Sequence, residues 1–481
     1  MSSVRKKVAL QFLVSNLALL ANFLLTIILA RLLSPQDIGI FSMAAVLMAV
    51  AHVFRDFGVT TYIKREKELT ATNLRNALGV LLATSWSVAI GMYLSAPYWA
   101  NFFHEDGVTD VVRVLALGFV FIPFGAIPTA ILSREMAVEK SAQVTAVSTS
   151  VYFIASIAFA ANGFGPMTMA WANLINILAS GLMARYVLSR PLPVLPSFSE
   201  IKAIIHFGAG NLITALLKAA DNALPDVLLG RYMNASAVGL FSRANSTVNM
   251  VGTALHPTVN YFALPYLAKL HHANGPIASE YLRATSLINS LMLPSLAVIA
   301  VLAHDVVSVL YGNAWLGAVS SISWLCLAYA ISSVFTLSAP ALAGVGKPYA
   351  SIAPQSLVLL GKILSAAILF DGTLASFAKA IAIGQMSSIP LYLWIHHRHL
   401  GLNWIDWARW TMPLVVHAAI VGLVGLGVRI SLPPNISTWS AVVATSTFAA
   451  AAAITAYFIL RLPISKELVG LTITLINSRK R

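Results

Sequence analysis

The chain has 481 residues, of which 58% are hydrophobic and only 10% are charged, and its formal net charge is +14. Because an ordinary soluble domain contains about 25% charged residues, this composition excludes a soluble globular enzyme, a disordered chain and a nucleic-acid-binding module. The single cysteine, Cys326, excludes an internal disulfide bond. We expect no cleaved signal peptide, since the apolar run that follows Met1–Lys7 is too long for one.

Apolar runs of the length that a membrane-spanning helix needs, about 20 residues, recur along the whole chain. Fourteen such runs cover residues 8–33, 38–63, 74–98, 108–132, 141–161, 165–188, 201–230, 237–262, 276–303, 316–345, 349–370, 372–395, 404–430 and 437–461. The connections between them are short, and none is long enough to fold as a soluble domain. The sequence therefore predicts an all-α, polytopic membrane protein with about 14 transmembrane helices.

Lys and Arg are distributed unevenly between the two sides of the predicted membrane domain. If the N-terminus is placed inside, 22 of the 31 Lys and Arg residues lie in inner loops and ends, four lie at outer edges and five lie within spans. Because cytoplasmic loops carry an excess of Lys and Arg, we predict that both termini are cytoplasmic and that residues 462–481 form a basic cytoplasmic tail. The same distribution explains the net charge without nucleic acid as a partner.

Two segments of the chain match each other at an offset of 200 residues without gaps. Six of the sixteen positions in Leu29–Ala44 and Leu229–Ala244 are identical, including the pair Gly39 and Gly239. Six predicted spans separate the segments, so the duplication is parallel and favours two lobes with a central site. The predicted domains are a first six-helix lobe, a second six-helix lobe and two additional helices, over residues 1–190, 201–398 and 404–461.

Polar residues form a stripe along the predicted seventh span, within an arc of about 140° at 3.6 residues per turn. Lys218 and Asp221 are i,i+3 neighbours in this stripe and can form an ion pair. Because an unpaired charge at mid-membrane costs several kcal/mol, the stripe must face protein or water. Asn22 in the first span matches Asn222 at the offset of 200, so the same face is predicted to be polar in both lobes. The amide and ionisable members of the stripe are Asn211, Lys218, Asp221, Asn222 and Asp226.

Three further ionisable residues lie in other predicted spans and are candidates for the same site, and each also has a structural interpretation. Asp56 can pair locally with its neighbour Arg55. Arg243 borders a seam of Ser, Thr and Asn that is typical of helix packing. Lys362 can extend its amine toward the membrane surface, and so can Lys379.

Other motifs carry no clear chemistry. The run His396–His399 is interpreted as a basic inner loop. Gly344–Pro348 lacks the glycine spacing of a phosphate-binding loop and is interpreted as a turn between helices. We therefore expect no catalytic residue, no metal site and no cofactor.

Several of these segments are familiar as family motifs. ARLLSPQDIGIF at 30–41 and VFRDFGVTTYIKRE at 53–66 resemble the first two helices of the Wzx-type polysaccharide flippases. VGLFSRAN at 238–245 resembles the matching segment of the family's second lobe, and Gly346-Lys347-Pro348 resembles its turn between helices 10 and 11. These flippases are the PST-like branch of the MOP exporter superfamily, which also contains the MATE drug exporters and the lipid II flippases.

The resemblance implies a V-shaped pair of six-helix lobes with a cavity between them. It also implies transfer of an undecaprenyl-pyrophosphate-linked oligosaccharide from the cytoplasmic to the periplasmic leaflet of the bacterial inner membrane by alternating access. A pyrophosphate favours fixed cations in a low-dielectric site, and the candidates are Lys218, Arg243 and Lys362. The amides that suit sugars are Asn22, Asn211 and Asn222. The candidates for ion coupling are Asp56, Asp221 and Asp226.

The expected partners are the lipid-linked oligosaccharide and membrane lipids, with a polysaccharide polymerase and export proteins as further candidates, and no nucleic acid. Two other functions remain open. A MATE-like small-solute exporter would share the architecture, although five Lys and Arg within the spans against three Asp favour an anionic substrate. A membrane polysaccharide polymerase or glycosyltransferase would carry catalysis on a sizeable outer loop, whereas the outer connections here are short. We therefore expect a transporter and not an enzyme. Its driving force stays open between protons, sodium, the membrane potential and downstream consumption of the product.

Overall fold

The computed structural model describes the backbone of residues 2–56, 58–66, 68–192, 195–198, 201–433, 435–460 and 462. Side chains within these ranges are described except at 2–9, 11–12, 56, 61, 65, 201–212 and 254–262. The described residues form helices, turns and short connections and contain no strand, which confirms the predicted all-α fold.

The chain divides into two compact units, Met1–Ser242 and Arg243–Arg481. The helices wholly within the first unit are α1 (Ser2–Leu32), α2 (Pro35–Asp56), α3 (Val59–Arg65), α4 (Ala71–Phe103), α5 (Gly107–Arg134), α6 (Val138–Ala161), α7 (Met167–Val187) and α8 (Ile201–Tyr232). The boundary falls inside α9 (Ala235–His272). The predicted lobes, with limits at 190 and 201, therefore stay a prediction.

The second unit continues with nine α-helices and two short 3₁₀ helices. The α-helices are α10 (Ile277–Val301), α11 (Ala303–Leu310), α12 (Val319–Val334), α13 (Ser338–Gly344), α14 (Ile352–Leu369), α15 (Leu374–Met386), α16 (Ile389–Leu400), α17 (Trp404–Ser431) and α18 (Thr438–Ile459). The 3₁₀ helices lie at Asn313–Ala318 and Pro348–Ser351. The second of these follows Gly346, whose φ is +76°, at the predicted turn between helices.

Within the part of the chain that the structure describes, 11 helices are long and apolar enough to cross a membrane. They coincide with 11 of the predicted spans. The remaining predicted spans, 201–230, 237–262 and 372–395, fall on α8, α9 and the pair α15–α16. The polytopic membrane fold is thus confirmed, and the count of fourteen stays a prediction.

Three of the predicted spans are each interrupted within the structure. The span 38–63 breaks at Gly58, whose φ of 77° lies in the left-handed region that glycine adopts without strain. The span 316–345 breaks between α12 and α13. The span 372–395 breaks just before Pro390, which sits in the first turn of α16 where its missing N–H is tolerated.

Equivalent pairs of helices pack against each other within each unit. In the first unit α4 packs against α5, α6 against α7, and α5 against α7. In the second unit α10 packs against α12, α14 against α15, and α12 against α15. These helices occupy equivalent places in the two predicted lobes, so the repeat detected in the sequence extends to helix packing.

Glycines allow two of these pairs to approach closely. A Cβ atom at Gly125 of α5 would lie 2.8 Å from the Cα atom of Gly181 in α7. A Cβ atom at Gly384 of α15 would lie 2.4 Å from the Cα atom of Lys362 in α14. Small residues serve this purpose in membrane proteins, because helix association there depends on close van der Waals packing.

The two C-terminal helices are fixed to the second unit by packing and by one ion pair. α17 packs against α10 and α18, and α18 packs against α11. The carboxylate of Asp305, whose side chain is 6% exposed, accepts hydrogen bonds from Arg429 Nε at 2.6 Å and Nη2 at 3.0 Å. Tyr457 of α18 donates a hydrogen bond to the carbonyl oxygen of Ser290 in α10 at 2.9 Å.

Candidate substrate-binding site

The first helix is exposed on two opposite faces of different chemistry. Leu13, Leu17, Leu20 and Leu24 form a stripe of side chains that are each more than half exposed. At about 100° per residue, Asn22 lies about 180° from the centre of this stripe, and it is also exposed. The leucine face suits lipid, and the opposite face with Asn22 suits a polar environment.

The eighth helix has the same arrangement. Lys218 and Asn222 are exposed on one face, with Asp221 and Asp226 partly exposed beside them. Ile213 is 56% exposed and lies about 180° from Asn222 around the helix. Because a charged amine facing hydrocarbon would cost several kcal/mol, the face with Lys218 opens onto water or polar groups. The predicted match between Asn22 and Asn222 is thus a match of two exposed amides.

The predicted ion pair between Lys218 and Asp221 stays a prediction. The side chain of Lys218 is exposed, whereas that of Asp221 is partly buried. Ion pairs that the described residues form elsewhere include Arg429–Asp305, Arg283–Glu280 and Arg409–Asp406.

Arg243 in the second unit is supported by aromatic residues. Its guanidinium lies 6.0 Å from the ring centroid of Trp315, which is fully buried in the first 3₁₀ helix. In the next turn of α9, Thr247 bonds to the carbonyl oxygen of Arg243 at 2.9 Å and lies 3.1 Å from the hydroxyl of Tyr311. The flat aromatic ring orients a partly exposed cation by a cation–π contact.

Two lysines of the second unit differ in their surroundings. Lys362 is 9% exposed and lies where α14 crosses α15 at Gly384. Lys379 places its amine 5.8 Å from the ring centroid of Trp324. Lys362 is therefore buried by protein, whereas the interpretation of Lys379 as a lysine reaching the membrane surface stays a prediction.

The other predicted site residues divide between the units. Asn22, Lys218, Asp221, Asn222 and Asp226 lie in the first unit, and the structure brings the last four together on α8. Arg243 and Lys362 belong to the second unit. The side chains of Asn211 and Asp56 lie outside the described residues.

Sequence reasoning missed the aromatic residues that support Arg243. Trp315 and Tyr311 flank Gly312 in the stretch that interrupts the predicted tenth span. Gly312 has a φ of +95° and directly precedes the 3₁₀ helix. The pair of aromatic residues beside this interruption was the feature of the sequence that could have indicated a structured element there. Nearby, Tyr329 donates a hydrogen bond to the side-chain oxygen of Asn245 at 3.1 Å, which adds a second polar contact on this part of α9.

Comparisons with known proteins show which family and which fold the chain is similar to. The sequence profile of a family described as polysaccharide biosynthesis protein matches residues 28–320, more than half of the chain. The succinoglycan biosynthesis transport protein ExoT of Rhizobium meliloti is 22% identical over 78% of this chain and 76% of its own. The teichuronic acid biosynthesis protein TuaB of Bacillus subtilis is 22% identical over 79% of this chain and 80% of its own. The lipopolysaccharide biosynthesis protein WzxC of Escherichia coli is 20% identical, and the match spans 64% of this chain and 63% of that protein.

Two solved structures share the fold. The inward closed conformation of the lipid II flippase MurJ superposes with a TM-score of 0.74 at 12% identity, covering 96% of this chain and 100% of that one. The inward-facing conformation of a multidrug resistance MATE family transporter of the MOP superfamily gives a TM-score of 0.60 at 16% identity, covering 80% and 95%. At these identities the likeness establishes the fold.

Proposed function

We propose, from the premise that this chain belongs to the polysaccharide biosynthesis protein family, that it transfers a lipid-linked oligosaccharide between the leaflets of a membrane. The chain is a multi-pass bacterial membrane protein of the MOP fold, and its resemblance to polysaccharide flippases is confirmed. The finer proposal is that an undecaprenyl-pyrophosphate-linked oligosaccharide moves from the cytoplasmic to the periplasmic leaflet of the inner membrane. Both termini are then cytoplasmic, and the protein acts without catalysis.

The observation that carries this proposal is the pair of exposed polar faces on α1 and α8. A lipid-linked oligosaccharide has an apolar tail, which stays in the bilayer, and a polar head, which must cross it. Transfer of unpaired polar groups into hydrocarbon costs roughly 4–8 kcal/mol for each amide or hydroxyl. Asn22, Lys218 and Asn222 supply hydrogen-bonding groups along such a crossing, while the opposite face of each helix exposes apolar side chains that suit lipid.

The charges of the candidate site favour an anionic head group. Lys218 and Arg243 are cations with exposed or partly exposed side chains, and Lys362 is buried by protein. Arg binds phosphate through two parallel N–H groups, and Lys binds it as a point charge. We propose that these cations hold the pyrophosphate and that the asparagine amides bind sugar hydroxyls. Asn211 is proposed for the same role from the sequence alone.

The membrane potential is a sufficient driving force for this transfer. A pyrophosphate diester carries about two negative charges, and moving each one outward across an inside-negative potential is favourable by about 2.3 kcal/mol per 100 mV. Asp226 is the carboxylate that we propose for proton coupling, if the transporter uses a proton. Asp221 and Asp56 are the other candidates.

The test is transfer in proteoliposomes that hold the purified full chain. A fluorescent undecaprenyl-pyrophosphate oligosaccharide is placed in both leaflets, and the fraction that an external reductant can quench is followed over time. We expect transfer faster than in protein-free liposomes. Uptake of a cationic dye without transfer of the lipid would instead support a MATE-like exporter and contradict the proposal.

A further inference from the structure

The first turns of α2 and α9 touch each other through their backbones. A Cβ atom at Gly39 would lie 1.7 Å from the carbonyl oxygen of Ala235, and one at Gly239 would lie 1.9 Å from that of Pro35. All four residues belong to the first compact unit. Real Cβ atoms essentially never approach within 3.0 Å, so no side chain fits at either glycine unless the backbones separate.

This contact is reciprocal under the sequence repeat. At the offset of 200, Pro35 matches Ala235 and Gly39 matches Gly239. Gly39 meets Ala235, and Gly239 meets Pro35, which is the pattern of an isologous interface around a twofold axis. The two copies of the repeat therefore meet at equivalent points.

The polar faces of α1 and α8 are covered at the end where this contact lies. Leu29 lies on the same face of α1 as Asn22, within about 20°, and Leu33 directly follows the last residue of the helix; they are only 4% and 6% exposed. Leu229 lies on the same face of α8 as Asn222, and it is fully buried. On both helices the face is thus exposed in the middle and covered at the end that the predicted orientation places outside.

The last turn of α8 adds a second contact at the same end. Arg231 donates a hydrogen bond to the backbone carbonyl oxygen of Phe102 at 3.1 Å. Its guanidinium also lies 5.4 Å from the centroid of the Phe102 ring. The same guanidinium lies 3.0 Å from a ring nitrogen of His104. Gly230 leaves room for Phe103, since a Cβ atom there would lie 2.8 Å from its ring. The outer ends of α8 and α4 are therefore joined.

We propose that the reciprocal contact of Pro35–Gly39 with Ala235–Gly239, here called the glycine crossing, is the outer gate of the transport path. It is closed in this structure, and it must part for a head group to leave on the outer side. Two backbones without interlocking side chains can pack closely and separate without rearranging rotamers. The inference rests on the proposed function, which requires a path that opens to one side at a time.

The glycine crossing predicts that an added methyl group opens the gate. Overpacking of a close contact disfavours the packed state, and we expect Gly39→Ala and Gly239→Ala each to raise the open population about ten-fold. Gly91→Ala is the matched control, because nothing lies within 4 Å of a Cβ atom there. Each substitution is combined with Asn22→Cys as a reporter, and the native Cys326 is buried.

The measurement is labelling of the reporter with a membrane-impermeant maleimide, applied from either side of oriented membrane vesicles. In the protein that carries the reporter alone, we expect labelling from the inner side. In the alanine variants, we expect the rate of labelling from the outer side to rise about ten-fold. Outer labelling that is the same in the Gly39→Ala, Gly239→Ala and Gly91→Ala proteins would overturn the proposal.

A second variant covers the case in which the alanine proteins do not accumulate. Arg231→Gln removes the contact with Phe102 and His104 and adds no atoms to the glycine crossing, so outer labelling should rise here too; unchanged labelling would count against the gate. Labelling needs no substrate. If labelling shifts as expected but the lipid-linked oligosaccharide is not transferred, the gate stands and the proposed substrate is wrong.

Discussion

The side chains of Asn22 and Asn222 are exposed, and apolar residues such as Leu24 and Ile213 are exposed on the opposite faces of the same helices. An amide in hydrocarbon without a partner is costly, so the apolar faces suit lipid and the amide faces suit a polar ligand. At the scale of single residues, the proposed site is therefore a set of exposed polar groups.

Replacing one of these amides should weaken transport without harming the fold. In Asn22→Leu the helix gains an apolar side chain at an exposed position, so no cavity forms and no buried group loses a partner. The loss of one hydrogen bond to a sugar, about 1 kcal/mol, should slow transfer about five-fold. The rate of lipid transfer in proteoliposomes measures this. Leu24→Ala is the control on the lipid face, and an equal loss there would contradict the assignment.

Lys218 and Asp221 should act independently, because the side chain of Lys218 is exposed whereas that of Asp221 is partly buried. We expect Lys218→Ala to slow transfer about ten-fold or more through loss of a charge-assisted contact with the pyrophosphate. The effects of Lys218→Ala and Asp221→Ala on the free energy of activation should add in the double variant. Lys218→Arg should restore most of the rate. A double variant that transports faster than Lys218→Ala would show that the two residues are coupled.

At the scale of helices, apolar length and polar periodicity predicted most of the elements but not their breaks. The run 38–63 has no proline or second glycine beside Gly58, so its composition does not reveal that the glycine adopts a positive φ. Pro390 was a visible signal for the break in 372–395, since proline favours the first turn of a helix. The contact between Asp305 and Arg429 could not be predicted, because 124 residues separate the two.

This ion pair should matter for stability more than a surface ion pair does. Arg429→Ala leaves the buried carboxylate of Asp305 without its charged partner, which should cost about 3–5 kcal/mol of unfolding free energy. Adding Asp305→Asn should restore part of that loss, because the amide carries no charge. Thermal unfolding of the detergent-purified variants measures both effects. Arg409→Ala, which breaks an exposed ion pair with Asp406, is the control and should change little.

At the scale of the whole molecule, the predicted orientation makes a topological test straightforward. Single cysteines at Asp37, Glu66, Asp371 and Arg398 should be labelled from the outside, inside, outside and inside in turn. The background is Cys326→Ala, which removes the native thiol. Labelling of the Asp37 and Glu66 positions from the same side would show that the number of spans between them is wrong.

The repeat was visible in the sequence because a short motif at 29–44 recurs at 229–244. The structure adds that the glycines of this motif touch their counterparts' backbones, which a sequence match alone does not reveal. The predicted lobes, with limits at 190 and 201, stay a prediction, because hydropathy locates helices along the chain and does not encode how they pack.

The most direct test of the central claim is transfer of a labelled undecaprenyl-pyrophosphate oligosaccharide in oriented proteoliposomes under an imposed inside-negative potential. We predict that the potential accelerates outward transfer in the unaltered protein and that Lys218→Ala lowers the rate about ten-fold or more at the same potential. An imposed pH gradient at zero potential, compared between the unaltered protein and Asp226→Asn, separates proton-coupled transfer from transfer that the membrane potential alone drives. Transfer no faster than in protein-free liposomes, under either gradient, would contradict the account.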